Sequence, residues 1–159
     1  MAWGGGTSKW NHRGKDAGGL LMFLIDTTLA SVNGTTKIYE GNQIVGTTGG
    51  YPKLGGSSLA SGDRFAGVAA ADVAWTIGEA GVYVPVWTMG TFLFALAGTE
   101  ITDVFDTAWV DSAANPWTIK ASYDTNAAKV GMIAEPRGTT HVWVNITGYA
   151  SSVGGIAAA

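Results

Sequence analysis

The chain has 159 residues, no cysteine, 13% charged residues and a formal net charge of −3. That length fits one domain, which buries about two thirds of the extended chain's surface and so needs neither disulfides nor metals for stability. The missing thiols exclude a disulfide framework and thiolate metal sites, and the negative balance argues against a nucleic-acid footprint, which requires clustered Lys and Arg. With 24 glycines and 7 tryptophans among so few charges, the composition suits a chain that buries its exterior in an assembly.

Residues 1–19 (MAWGGGTSKWNHRGKDAGG) contain three consecutive glycines, two isolated tryptophans and no periodicity. They read as an extended N-terminal arm. Residues 1–18 carry Lys9, Arg13 and Lys15 against Asp16, a net +2, while the remainder holds 6 basic and 11 acidic residues, a net −5. A Gly-rich arm recovers its ordering entropy only through contacts, made either by folding back on its own domain or on a partner surface; the partner surface is the preferred expectation, with Trp3 and Trp10 as anchors. No apolar run reaches transmembrane length, and the N-terminus lacks the order of features that marks a secretory signal. No membrane partner is expected.

Residues 20–27 are a strand candidate, followed by the Asn33-Gly34 turn signal. Residues 36–45 place Ile38, Ile44 and Val45 in an extended segment interrupted by Glu40-Gly41-Asn42. Gly49-Gly50-Tyr51-Pro52 and Gly55-Gly56-Ser57-Ser58 mark a loop-rich section. Residues 64–70 form another short strand, in which Gly67 permits close backbone approach. The organising stretch is residues 62–97. It holds two dense strand candidates, 82–88 and 91–96, meeting at Met89-Gly90. In the first, Val82, Val84, Val86 and Thr88 share one face and Tyr83, Pro85 and Trp87 the other. Pro85 cannot donate to a ladder, so this strand is expected at an edge or with its pairing broken there. The second is apolar on both faces and reads as central.

Residues 100–110 suggest one or two helical turns, capped by Thr99 or Thr102, with Ile101, Val104 and Phe105 facing inward. Asn115-Pro116 and Asp124-Thr125-Asn126 are turns around a strand at 117–123. Residues 129–134 and 141–147 are closing strands, the latter with Val142, Val144 and Ile146 on one face. The resulting organisation is an arm (1–19), a β-rich domain (20–150) and a small-residue C-terminal tail (151–159). Many short strands punctuated by turn signals indicate an all-β barrel or sandwich, and no repeat is visible.

Chemistry is hard to place on this chain. His12 and His141 have no second histidine at metal-ligand spacing. Asp103, Asp106 and Asp111 lack the glycine and terminal Glu of a calcium loop. No GxSxG elbow occurs, and the glycine clusters lack the Lys-Ser/Thr of a phosphate loop. The sequons at Asn33 and Asn145 carry little weight without a secretion signal. No catalytic residue, cofactor or metal is expected, and the chain is read as not an enzyme. Trp3, Trp10, Trp75, Trp87, Trp109, Trp117 and Trp143 leave one binding alternative, a carbohydrate-binding β-sandwich that stacks glycans on exposed tryptophans. Interface anchoring accounts for them at least as well.

The order of motifs carries a resemblance. Thr36-Lys37-Ile38-Tyr39-Glu40-Gly41-Asn42 leads to Gly49-Gly50-Tyr51-Pro52 and Arg64-Phe65-Ala66-Gly67-Val68-Ala69. Then come Val82-Tyr83-Val84-Pro85-Val86-Trp87-Thr88-Met89-Gly90-Thr91-Phe92, Lys129-Val130-Gly131-Met132-Ile133-Ala134-Glu135 and His141-Val142-Trp143-Val144-Asn145-Ile146. Over residues 36–147 this resembles the small capsid decoration (cement, head-stabilising) proteins of tailed bacteriophages. Ala108-Trp109-Val110-Asp111 stands where that family often has "YWD" or "YAD", a mild departure; the arm and tail fall outside the resemblance. The resemblance implies a β-tulip-like domain on the outer capsid surface of a virion, a homo-oligomer, trimeric in that pattern, with the major capsid protein as partner. In that setting the arm would clamp capsid subunits through Trp3 and Trp10, with Lys9, Arg13 and Lys15 meeting an acidic shell. Contact with glycans is compatible with such a place.

Overall fold

A computed structural model describes residues 18–27, 36–46, 52–54, 64–96, 101–111, 118–121 and 128–147, and these are all-β with no helix. The strands are β1 (Gly18–Leu24), β2 (Lys37–Ile38), β3 (Gln43–Gly46), β4 (Pro52–Leu54), β5 (Arg64–Ala69) and β6 (Val73–Ala74). They continue with β7 (Tyr83–Ala95), β8 (Thr107–Asp111), β9 (Thr118–Lys120), β10 (Lys129–Arg137) and β11 (His141–Thr147). One 9-stranded sheet runs β4-β3-β5-β7-β11-β10-β8-β9 and carries β1 as an additional partner of β7; β2 and β6 form a separate ribbon. The large sheet curls into a half-barrel, and the expected barrel-or-sandwich class holds.

β7 organises the sheet, as the density of apolar residues at 62–97 suggests, but not as two strands. The backbone runs straight through Met89-Gly90 for 13 residues. Val84, Val86, Thr88, Gly90, Phe92 and Phe94 are all buried, so a period of two continues unbroken across the glycine. Gly90 (φ +132) is therefore not a turn; it pairs with Ile146 in mid-strand.

Pro85 behaves half as expected. β7 is flanked on both edges, so the strand is central. The Pro85 carbonyl accepts the Ala70 N–H at 2.8 Å, which places its nitrogen on the side where β5 pairing has ended at Ala69↔Val86. The missing donor thus falls where the ladder stops, and no pairing is lost.

The registers show how the sheet divides. A strand residue takes one partner on each edge. Trp87 pairs with both Leu20 and Val68, and Met89 with both Gly18 and Thr147. β1 therefore occupies one edge of β7, while β5 and then β11 share the other. The handover separates two cores. Val84 and Val86 join Ile25, Ile38, Ile44 and Trp75 in the smaller core. Phe92 and Phe94, on the same face of β7, join Phe65, Ile119, Val130, Ile133, Val142 and Val144 in the larger. Burying each such side chain contributes about 1.5–3 kcal/mol. Thr88 lies between the two cores and donates its hydroxyl to the Gly19 carbonyl at 2.6 Å.

β5 serves both cores because it is bulged against β3 between Ile44 and Val45. Phe65 and Val68 face the larger core, Ala66 and Ala69 the smaller. Gly67 carries the irregularity at φ +151, and a Cβ there would stand 2.1 Å from the Trp87 carbonyl oxygen. The close approach read from this glycine is real. Glu40-Gly41-Asn42 forms a turn, closed by Asn42 N–H on the Tyr39 carbonyl at 3.0 Å and by Tyr39 N–H on Asn42 Oδ1 at 2.9 Å.

The helical reading of residues 100–110 is corrected. Residues 107–111 are the strand β8, and the segment before it is a turn pinned to β10. Phe105 N–H donates to the Ile133 carbonyl at 2.9 Å, and Ile133 N–H to the Asp106 carbonyl at 2.8 Å. Those bonds compete with helix propagation. Ile101 is buried as expected, but Val104 and Phe105 point outward, with Phe105 at φ +74 and 78% exposed.

Candidate interaction surface

The proposed partner-binding residues Trp3, Lys9, Trp10, Arg13 and Lys15 lie outside the described residues. What is described is the point where the arm enters the domain. Gly18 and Gly19 already belong to β1, and Gly19 takes φ +63 beside Thr88.

The hydrogen-bonding polarity of β1 follows from β7. In an antiparallel strand the N–H and C=O of one residue point to the same edge, alternating along the chain. Pro85 and Trp87 direct theirs toward β5, as the Ala70–Pro85 bond and the Val68↔Trp87 pairing require. Val84 and Val86 therefore serve β1, through their partners Phe23 and Leu21. Ile25 N–H on the Val82 carbonyl, 2.9 Å, continues the same phase. It follows that Leu20, Met22 and Leu24 aim their backbone groups away from β7, at the outer edge of β1. No strand pairs with that edge among the described residues.

The side chains of those three residues are also exposed. Leu20 pairs with Trp87, Met22 with Pro85 and Leu24 with Tyr83, so they share one face with Tyr83 and Met89. Leu20, Met22, Leu24, Tyr83 and Met89 are each between 43% and 58% exposed. Leu21 is exposed on the opposite face, beside Phe23, which packs on the smaller core. Residues 18–25 (GGLLMFLI) carry no charge and no proline. Edge strands ordinarily bear lysine, proline or a bulge that blocks further pairing; β1 has none of these. Sequence reasoning placed a strand here but did not single out Leu20, Met22 or Leu24. The available signal was the uncharged run itself.

Other chemistry is sparse. Among the described residues no group of three or more His, Cys, Asp or Glu is placed to hold a metal ion. Asp103 and Asp106 are exposed beside Phe105. His141 is half-buried, its Nδ1 2.9 Å from Thr140 Oγ1. Trp75 is buried, and Trp87, Trp109 and Trp143 are half-buried. The four described tryptophans thus present no open stacking platform. Comparison of the chain with protein-family models, curated proteins and solved structures gave no match.

Proposed function

We propose that this chain is a structural virion protein, a decoration or cement protein that binds the outer surface of a phage capsid and stabilises the expanded head. The observation that carries the reading is the exposed apolar strand β1, placed directly after the basic, Trp-containing arm. Such a face is costly to leave in water, at about 25 cal/mol per Å² of apolar surface, and suits a protein whose working state is an assembly. The motif order over residues 36–147 supplies the shell as the assembly.

In this reading the arm adds a strand to the sheet edge of the major capsid protein. Backbone bonds provide affinity, and Trp3 and Trp10 fill pockets. Lys9, Arg13 and Lys15 meet acidic shell residues. A homo-oligomer, a trimer in the resembled pattern, multiplies the arms and gains avidity without new contact types. No catalysis, cofactor or nucleic acid enters the mechanism.

The test is the copy ratio of this chain to the major capsid protein in purified particles, by quantitative mass spectrometry. A ratio near one is expected, and absence from particles sinks the reading. Deletion of residues 1–17, which spares β1, is expected to leave a folded domain that no longer sediments with capsids. Undiminished binding of the truncated chain would overturn the clamp.

A further inference from the structure

We propose that the turn before β8 is a docking knob, whose Phe105 ring seats in an apolar socket rimmed by lysine or arginine on the major capsid protein. This rests on the shell reading and adds to it a contact made by the folded domain rather than by the arm.

The turn is built to hold the ring out. Ile101 and Ala108 are buried on either side of it, and residues 102–106 protrude between them, all exposed. Two backbone bonds fasten the turn to β10, Phe105 N–H to the Ile133 carbonyl at 2.9 Å and Ile133 N–H to the Asp106 carbonyl at 2.8 Å. Ile133 is itself buried in the larger core. The ring therefore stands on a fixed base, and little backbone freedom is left to lose on docking.

Two costs are sustained at this one position. Phe105 is 78% exposed, the most of any large apolar side chain among the described residues. It alone among their non-glycine residues has a positive φ, at +74. A bulky residue in that region is an outlier. Gly or Asn would relieve the backbone and take the ring out of water in one step. Strain of this kind persists where a site uses it, and aromatic side chains are enriched at interfaces.

The neighbours define the socket. Val104 is exposed beside Phe105, and exposed Asp103 and Asp106 flank the pair. Residues 97–119 contain no Lys, Arg or His, and Lys120 and Lys129 lie level with Trp109, three residues beyond Asp106. An apolar tip between carboxylates complements an apolar pocket with a cationic rim and is repelled by an acidic one. The turn lies beyond β10, four strand spacings or about 20 Å across the sheet from β1, where the arm enters. The cations of the arm and the carboxylates of the turn thus offer the shell two contacts of opposite sign at separate places, which sets the orientation of the domain on it.

The experiment uses the full chain and capsids purified without it, with binding read by co-sedimentation. Phe105→Asn should weaken binding about thirtyfold while raising the thermal midpoint by about 3 °C. Lower affinity in a more stable protein is the signature, because a ring with only a structural role would lose stability or leave binding alone. Phe105→Gly should lose the same affinity and serves if the asparagine variant unfolds. Asp103→Asn combined with Asp106→Asn should weaken binding about fivefold and flatten its salt dependence; tighter binding of that variant overturns the cationic rim. Ile77→Asn, at a side chain 58% exposed in the turn before β7, should leave affinity unchanged. Undiminished binding of the Phe105 variants, or an equal loss with Ile77→Asn, overturns the proposal. A native chain that does not bind capsids removes the shell reading and this contact with it.

Discussion

Gly67→Ala tests the idea that β5 is shared between two cores only because it carries a glycine at its bulge. At φ +151 the backbone lies where side-chain-bearing residues are strained, which costs of order 1–3 kcal/mol. The added methyl would lie 2.1 Å from the Trp87 carbonyl oxygen and 2.8 Å from Val86 Cγ1, where ordinary contact begins at 3.4 Å. β5 and β7 would have to part by about 1 Å, an overpacking cost of a further 1–3 kcal/mol. The expected total is about 4 kcal/mol, a large share of the 5–15 kcal/mol that holds a typical domain together. Equilibrium unfolding in urea, followed by tryptophan fluorescence, measures it. Gly46→Ala in β3 is the control, because its added methyl meets nothing nearer than the Arg64 carbonyl oxygen at 3.9 Å. Equal midpoints for the two variants would refute the close-approach argument.

Three further outcomes are expected. Leu21→Pro removes a backbone bond to Val86 and should cost about 3 kcal/mol or more, whereas Met22→Pro should leave the unfolding midpoint nearly unchanged; equal losses would invalidate the hydrogen-bond phase assigned to β1. Phe105→Asn replaces a bulky ring at φ +74 with a residue that tolerates this region, and thermal unfolding should show a gain of about 1 kcal/mol; a loss would mean that the exposed ring has a stabilising contact. Thr88→Val leaves the Gly19 carbonyl without its 2.6 Å donor and should cost about 1 kcal/mol by chemical denaturation; a neutral result would show that water replaces the hydroxyl.

Where one face of a segment is buried and the other is not, alternation alone reveals the strand, and β11 is found with its Val142-Val144-Ile146 face correctly buried. Glu40-Gly41-Asn42 and Gly67 are legible for the same local reason, since turns and close approaches select residue types. Met89-Gly90 is not legible. The same dipeptide suits a turn or a strand that brushes its neighbour, and only the Gly90↔Ile146 pairing decides between them. Nor is the turn before β8, because its competing bonds run to Ile133, far along the chain.

The sequence by itself determined the all-β class and the sparseness of charge, because strand period and turn chemistry are encoded within a few residues. Only the tertiary structure decided which strand lies at the edge, which face of β1 meets solvent and which backbone groups point outward. Leu20, Met22 and Leu24 look like core residues in the sequence. Their exposure is a property of the partners that β7 accepts on each side, and pairing between distant strands is written in no single segment.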